Sequence, residues 1–184
     1  MLRATEMAQL LLGQRLKEGD VVVDATVGNG HDTLFLADQV GPSGRVIGFD
    51  VQKAALDYTA TRLGERTHVR LVHAGHETLA AHLDGQTVKL AAVMFNLGYL
   101  PGTDRTVKTG SETTLAAVQQ ALALLSVGGL MTVVLYPGHA GGADEARNVL
   151  AFAQNLEDGF AVSRYQRINS RKPAPDLLVV ERRR

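Results

Sequence analysis

Apolar positions along the chain recur with two alternating periods. Residues 3–17 bring Met7, Leu10, Leu11 and Leu16 near one face at helical spacing, and the pattern stops at Gly19, which predicts a first helix. "VVVD" (21–24) is a β-branched run that predicts a buried strand, and "LFLADQV" then returns to helical spacing, so a helix is expected from about His31 to Val40, ended by the turn cluster "GPSG". The alternation repeats as a strand over 45–50, a helix over 52–63 ended by Gly64, a strand over 68–74, a short helix near 76–83 and a strand over 88–95. Beyond a long loop at 96–110, Ser111 is expected to cap a helix reaching Leu125. A strand over 128–136, a "PGHAGG" loop and a helix over 143–156 follow, and "FAVSRYQRIN" and "DLLVVERRR" read as two strands joined by "SRKPAP".

Strands that alternate with helices build a mostly parallel sheet with helices on both faces. The two consecutive C-terminal strands pair through a hairpin-like connection, which turns the last strand antiparallel to the rest. No repeat or linker divides the chain, so residues 1–184 are read as one α/β domain. Hydrophobic residues at 45% and charged residues at 21% fit a globular protein. Apolar runs such as "LAAVMF" are strand-length, and the first residues carry charges throughout, so neither a membrane span nor a signal peptide is expected and the reading is a cytoplasmic protein. With no cysteine, disulfides and thiolate chemistry are excluded.

The segment "DATVGNGHDT" (24–33) stands between the first strand and the second helix, where α/β proteins grip nucleotide-like cofactors. Gly28 and Gly30 let the backbone pass close to a ligand, and the next helix directs free N–H groups there. Asp24 ends the first strand and Asp50 the second, where an acid is placed to accept both hydroxyls of a ribose; the competing reading of Asp50 is a solvated strand cap. A dinucleotide fingerprint needs glycine where this chain has Thr33, and Asp32 sets negative charge beside the loop. Those acids repel a pyrophosphate and suit S-adenosylmethionine, which carries an ammonium and a sulfonium.

The fourth strand runs into "FNLGY" (95–99), where Asn96 offers a side-chain oxygen to an N–H donor and Tyr99 a flat face to a base, unless the segment is a turn with a packed tyrosine. His76 and Glu77 in "GHET" stand where an adenine edge would lie. His139 in "YPGHAGG" shares this sheet edge and either touches substrate or is an exposed loop histidine. The six histidines show no metal-binding spacing, and no G-x-S-x-G is present. With 19 acids against 19 bases, the chain is not built to coat nucleic acid non-specifically. Arg164, Arg167, Arg171, Lys172 and Arg182 to Arg184 nonetheless gather near the C-terminus, as a solvated edge and tail or as a phosphate-contacting surface.

"DATVGNGHDT", "FDVQ", "FNLGYLPGTDRTVKT" and "GGLMTVVLYPGHAGG", in that order across nearly the whole chain, resemble the rRNA-methylase family of small class I methyltransferases. That family is associated with tRNA wobble-uridine modification, the methylation of the 5-aminomethyl group of 2-thiouridine. The resemblance implies a Rossmann-like, seven-stranded class I methyltransferase sheet, S-adenosylmethionine as cofactor, and the tRNA anticodon region as partner, with a homodimer as one option for assembly. By position, Asn29, Gly30, Asp32 and Thr33 would line the methionine end, Asp50 and Gln52 the ribose, and His76 and Glu77 the adenine; Asp24, Gly28 and Asn96 complete the expected cofactor set. Asn96, Tyr99 and His139 are the expected catalytic residues, since "NLGY" stands where amine methyltransferases carry an Asn-Pro-Pro-Tyr-type motif, with Leu97 and Gly98 replacing both prolines. The alternatives are methylation of ribosomal or other RNA bases, a nicotinamide-dependent oxidoreductase, and an RNA-binding module that senses the cofactor without turnover.

Overall fold

The computed structural model describes residues 1–83, 88–98 and 109–184. In chain order the elements are α1 (Ala4–Gly13), β1 (Val21–Asp24), α2 (His31–Val40), β2 (Arg45–Asp50), α3 (Lys53–Leu63), β3 (Val69–His73), a 3₁₀ helix (His76–His82), β4 (Leu90–Asn96), α4 (Ser111–Leu124), β5 (Leu125–Leu135), α5 (Gly142–Gln154), β6 (Phe160–Tyr165) and β7 (Asp176–Arg182). The sheet order is β3-β2-β1-β4-β5-β7-β6. β1 to β5 pair in parallel, and β7 runs antiparallel between β5 and β6. The reversed last strand expected from the sequence is therefore present, and it is an interior strand.

Successive side chains of a strand point to opposite faces, and the apolar residues divide accordingly. Val22, Val46, Ala92 and Met94 join α1 and α2 in one cluster, built with Ala8, Leu12, Leu36 and Val40. Val23, Ile47, Phe49, Val93 and Phe95 join the 3₁₀ helix, α4 and α5 in the other, with Leu79, Ala121 and Val149. Because the central strands are buried on both faces, they read as continuous apolar runs without alternation.

Several element ends differ from the sequence reading. The first helix stops at Gly13: the Lys17 N–H donates to the Asp20 carboxylate at 2.8 Å and Gly19 has φ 92°, so residues 14–20 form turns that still seat Leu16 against the core. Gly110, not Ser111, takes the cap position of α4, and the Thr113 hydroxyl donates to its carbonyl at 3.0 Å. β5 begins at Leu125, ahead of a register shift against β4 between Leu90 and Ala92, near Gly128 with φ 81°. The last two strands are shorter than their apolar patterns, which leaves residues 166–175 as their connection.

Candidate active site

Register explains which acids are buried and which are presented. Asp24 on β1 pairs laterally with Gly48 and Met94, so Asp50 on β2 and Asn96 on β4 each stand two residues further toward the carboxyl edge. Asp50 and Asn96 open into a cleft of about 1070 Å³ at that edge, while Asp24 is 0% exposed beneath it. Of the expected site residues, Gly28, Asn29, Asp32, Asp50, Gln52, His76, Glu77, Asn96 and His139 line the cleft. Asp24, Gly30 and Thr33 are buried and do not. Tyr99 lies outside the described residues.

The buried three fix the shape of the loop. Asp24 accepts the Thr33 hydroxyl at 2.6 Å and the Thr26 N–H at 3.1 Å, which ties both ends of the turn to one carboxylate. Gly30, with φ 72°, caps α2, and a Cβ there would meet Thr59 Cγ2 at 2.5 Å. Glycine is thus required at position 30 by conformation and by the packing of α3. The Thr59 hydroxyl holds the loop again, donating to the Gly28 carbonyl at 3.1 Å, and Arg62 donates to the Asn29 carbonyl.

The upper layer is ready for a ligand. Asp50 accepts the Gly28 N–H and the Gln52 N–H, each at 2.8 Å, through different oxygens. A carboxylate has about four acceptor sites, so roughly two remain for hydroxyls in the cleft. His76 is 7% exposed and its Nδ1 lies 3.2 Å from the Ala25 carbonyl, so that nitrogen carries the proton and donates. Burial pushes its pKa down, and the neutral ring leaves Nε2 as a buried acceptor with no partner among the described residues.

Asn96 is the second such acceptor. Its N–H donates to the Thr26 hydroxyl at 2.7 Å, and its side-chain amide donates to Asp32 Oδ2. The other Asp32 oxygen accepts the amide of Gln9 from α1 at 2.6 Å. A carboxylate only accepts when ionised, so Asp32 turns the Asn96 NH2 toward itself and leaves Oδ1 buried and without a partner among the described residues, on a side chain that lines the cleft. Burial raises the Asp32 pKa, against the lowering effect of the two amide donors.

On the far wall, Tyr136, Pro137 and His139 follow β5. Burial first, then the Asp32 charge, raises the Tyr136 pKa, so its phenol stays protonated. Behind this wall Glu145 of α5, 3% exposed, accepts the hydroxyls of Thr114 at 2.7 Å and Thr109 at 2.9 Å. The Thr109 hydroxyl accepts the Gly98 N–H at 2.8 Å, and the Gly98 carbonyl accepts the Thr109 N–H at 2.9 Å. Gln9 and Glu145 were not singled out in the sequence, where each looks like an ordinary helix residue, and Thr109 stands there only as the last residue of "FNLGYLPGTDRTVKT".

The buried acid under the loop has a consequence for stability. Burial, reinforced by the Asp32 charge, pushes Asp24 up to about 7. The native state therefore holds a proton that the unfolded chain has released, and stability falls as pH rises from about 4 to 7. Asp24→Asn removes that titration. The melting temperature of the variant relative to wild type is expected to climb between pH 5 and pH 8, measured by calorimetry in matched buffers. Parallel profiles would show that Asp24 does not hold the proton.

A model of the "Putative rRNA methylase" family matches residues 46–181. The chain belongs to that family. Among its relatives is a chloroplastic tRNA (mnm(5)s(2)U34)-methyltransferase of Arabidopsis thaliana, 36% identical over 98% of this chain and 70% of the relative. A crystal structure of a "putative rRNA-methylase" from Clostridium thermocellum superimposes with a TM-score of 0.94 at 39% identity, covering 99% of this chain and 98% of the other. A "putative methyltransferase" from Streptococcus mutans, solved in complex with SAH, gives 0.89 at 34% identity and 99% coverage of both chains. This rRNA-methylase family member is an S-adenosylmethionine-dependent methyltransferase with the class I sheet. Among the described residues no group of three or more His, Asp or Glu is placed to hold a metal, and no helix is long and apolar enough to cross a membrane.

The cleft fits the cofactor on its own observations. His76 and Asn96, which line it, each carry a buried acceptor with no partner among the described residues, and Asp50 keeps free lone pairs. Asp32 and Asp50 line the cleft beside the glycine turn, and their carboxylates suit a ligand of positive charge and oppose a diphosphate.

Proposed function

We propose that the chain methylates the amino group of 5-aminomethyl-2-thiouridine at the tRNA wobble position. The observation that carries this reading is the Asn96 amide at the end of β4, a side chain that lines the cleft and is held by Asp32 so that its buried oxygen has no partner among the described residues. A lone acceptor at that place fits a nucleophile that brings its own N–H donors, as an alkylamine does. The tRNA methyltransferase named above, similar over nearly the whole chain, supports the substrate.

Asp50 and Gln52 would hold the ribose of the cofactor, His76 and Glu77 its adenine side, and Asn29 and Asp32 its methionine end. S-adenosylmethionine, when bound, supplies a methyl carbon already activated by a sulfonium. The protein's work is then to hold the neutral amine in line with that carbon. Asn96 Oδ1 accepts one amine N–H, which points the nitrogen lone pair away from the amide. Positive charge grows on the nitrogen as the new N–C bond forms, and the Asn96 oxygen and the Asp32 carboxylate behind it stabilise that charge. The surplus proton leaves to water.

Nucleoside mass spectrometry of tRNA that bears the aminomethyl group, incubated with the protein and labelled cofactor, tests the assignment. The expected product is labelled 5-methylaminomethyl-2-thiouridine. Label in another nucleotide, or in ribosomal RNA alone, overturns it.

A further inference from the structure

A second groove, of about 480 Å³, runs between α5 and the 166–175 connection and meets the cleft at Pro137 and Pro173, which line both. Its lining is basic: Arg147, Arg164, Arg167, Arg171 and Lys172 against the single acid Asp176. Asp176 is already paired with Arg164, and Arg147 pairs with Asp144 on its own helix. Arg167, Arg171 and Lys172 are exposed and have no acidic partner among the described residues. No acid occurs anywhere in residues 164–175, in a chain whose formal net charge is zero. The cations are thus concentrated rather than balanced in place. The loop that carries them is shaped from within, the Ser170 hydroxyl donating to the Lys172 carbonyl at 2.7 Å. Ile168, 90% exposed, stands among the cations and offers an apolar surface of the kind a nucleobase covers.

We infer that this groove binds the phosphate backbone of the RNA substrate beside the nucleotide that enters the cleft. The inference rests on the proposed RNA substrate and adds the surface that holds it. Unpaired cations on a ridge continuous with the reactive cleft are placed for phosphates flanking a target base, where they position the strand without reading its sequence. Arg167, Arg171 and Lys172 serve as point charges here, so their contribution depends on salt.

The experiment compares wild type with the triple variant Arg167→Ala, Arg171→Ala, Lys172→Ala, using tRNA binding across a salt series, calorimetric binding of S-adenosylmethionine, and steady-state methylation. At physiological salt the triple variant is expected to bind tRNA roughly tenfold more weakly, and the slope of log affinity against log salt to fall by about 2, at about 0.7 per phosphate contact on a single strand. KM for tRNA rises, while kcat at saturating tRNA and cofactor affinity stay at wild-type values. The single variants Arg171→Ala and Lys172→Ala give smaller steps in the same direction, and replacing all three positions by the other basic residue keeps the slope. An unchanged affinity and slope in the triple variant, with label still entering the wobble uridine, overturns the groove alone. Weakened binding with label in a different nucleotide leaves the groove standing and removes the wobble-uridine reading.

Discussion

Asn96→Ala lowers the rate of methyl transfer about 100-fold and leaves the affinity for S-adenosylmethionine within about twofold. The asymmetry follows from how the side chain is held. Its amide NH2 is committed to Asp32, its backbone N–H to Thr26, and only Oδ1 has no partner among the described residues. Alanine keeps the backbone bond that anchors β4 to the glycine turn, so the cofactor side of the cleft retains its shape. What disappears is the acceptor for the amine, and the nucleophile loses its alignment. Single-turnover transfer and calorimetric titration separate the two effects. An equal loss in both would assign Asn96 to the cofactor and remove it from the amine. Gln9→Ala belongs to the same chain of contacts, because Gln9 holds the opposite oxygen of Asp32. Its effect on transfer should have the same sign and a smaller size.

Asp50→Ala has the opposite signature, with weaker cofactor binding and nearly normal turnover at saturation. Hydrogen bonds to a charged acceptor contribute about 1.5–3 kcal/mol each, so losing one ribose contact weakens binding tenfold or more. Asp50 also receives the Gly28 and Gln52 N–H groups, and the truncation leaves both donors without their acceptor. The turn that approaches the cofactor loosens at the same time, which adds to the loss. Asp50→Asn keeps one acceptor and should fall between the two. Titration with S-adenosylhomocysteine gives the comparison directly, and wild-type affinity in Asp50→Ala would place the ribose elsewhere.

The alternation of apolar periods was enough to read the strands and helices, because each strand of a two-face-covered sheet is a short continuous apolar run between helical segments. The acids at strand tips were legible for the same reason: a charge that ends a buried run has to lie at an edge. Their depth was not. Whether Asp24 meets a ligand or sits under the loop depends on its register against Gly48 and Met94, and register between parallel strands is set by contacts far apart in sequence. Gln9 was illegible because nothing in "EMAQLLL" distinguishes an amide turned toward a buried carboxylate from one in water. Glu145 was hidden by its position in the first turn of α5, where acids are favoured on any helix. Gly110 and Ser111 are neighbours that both suit a helix start, and the backbone chose the glycine. The pairing of β6 with β7 was readable, but the insertion of β7 beside β5 was not, since pattern marks strands and not their order.

That inserted strand sets a timetable for synthesis. β6 touches the sheet only through β7, so Phe160–Tyr165 has no partner until residues 176–182 have left the ribosome. By then β1 to β5, with the glycine turn and the two unpartnered acceptors, are already available to assemble. The growing polypeptide thus acquires the strands that carry the glycine turn before the basic connection proposed to hold RNA is in place.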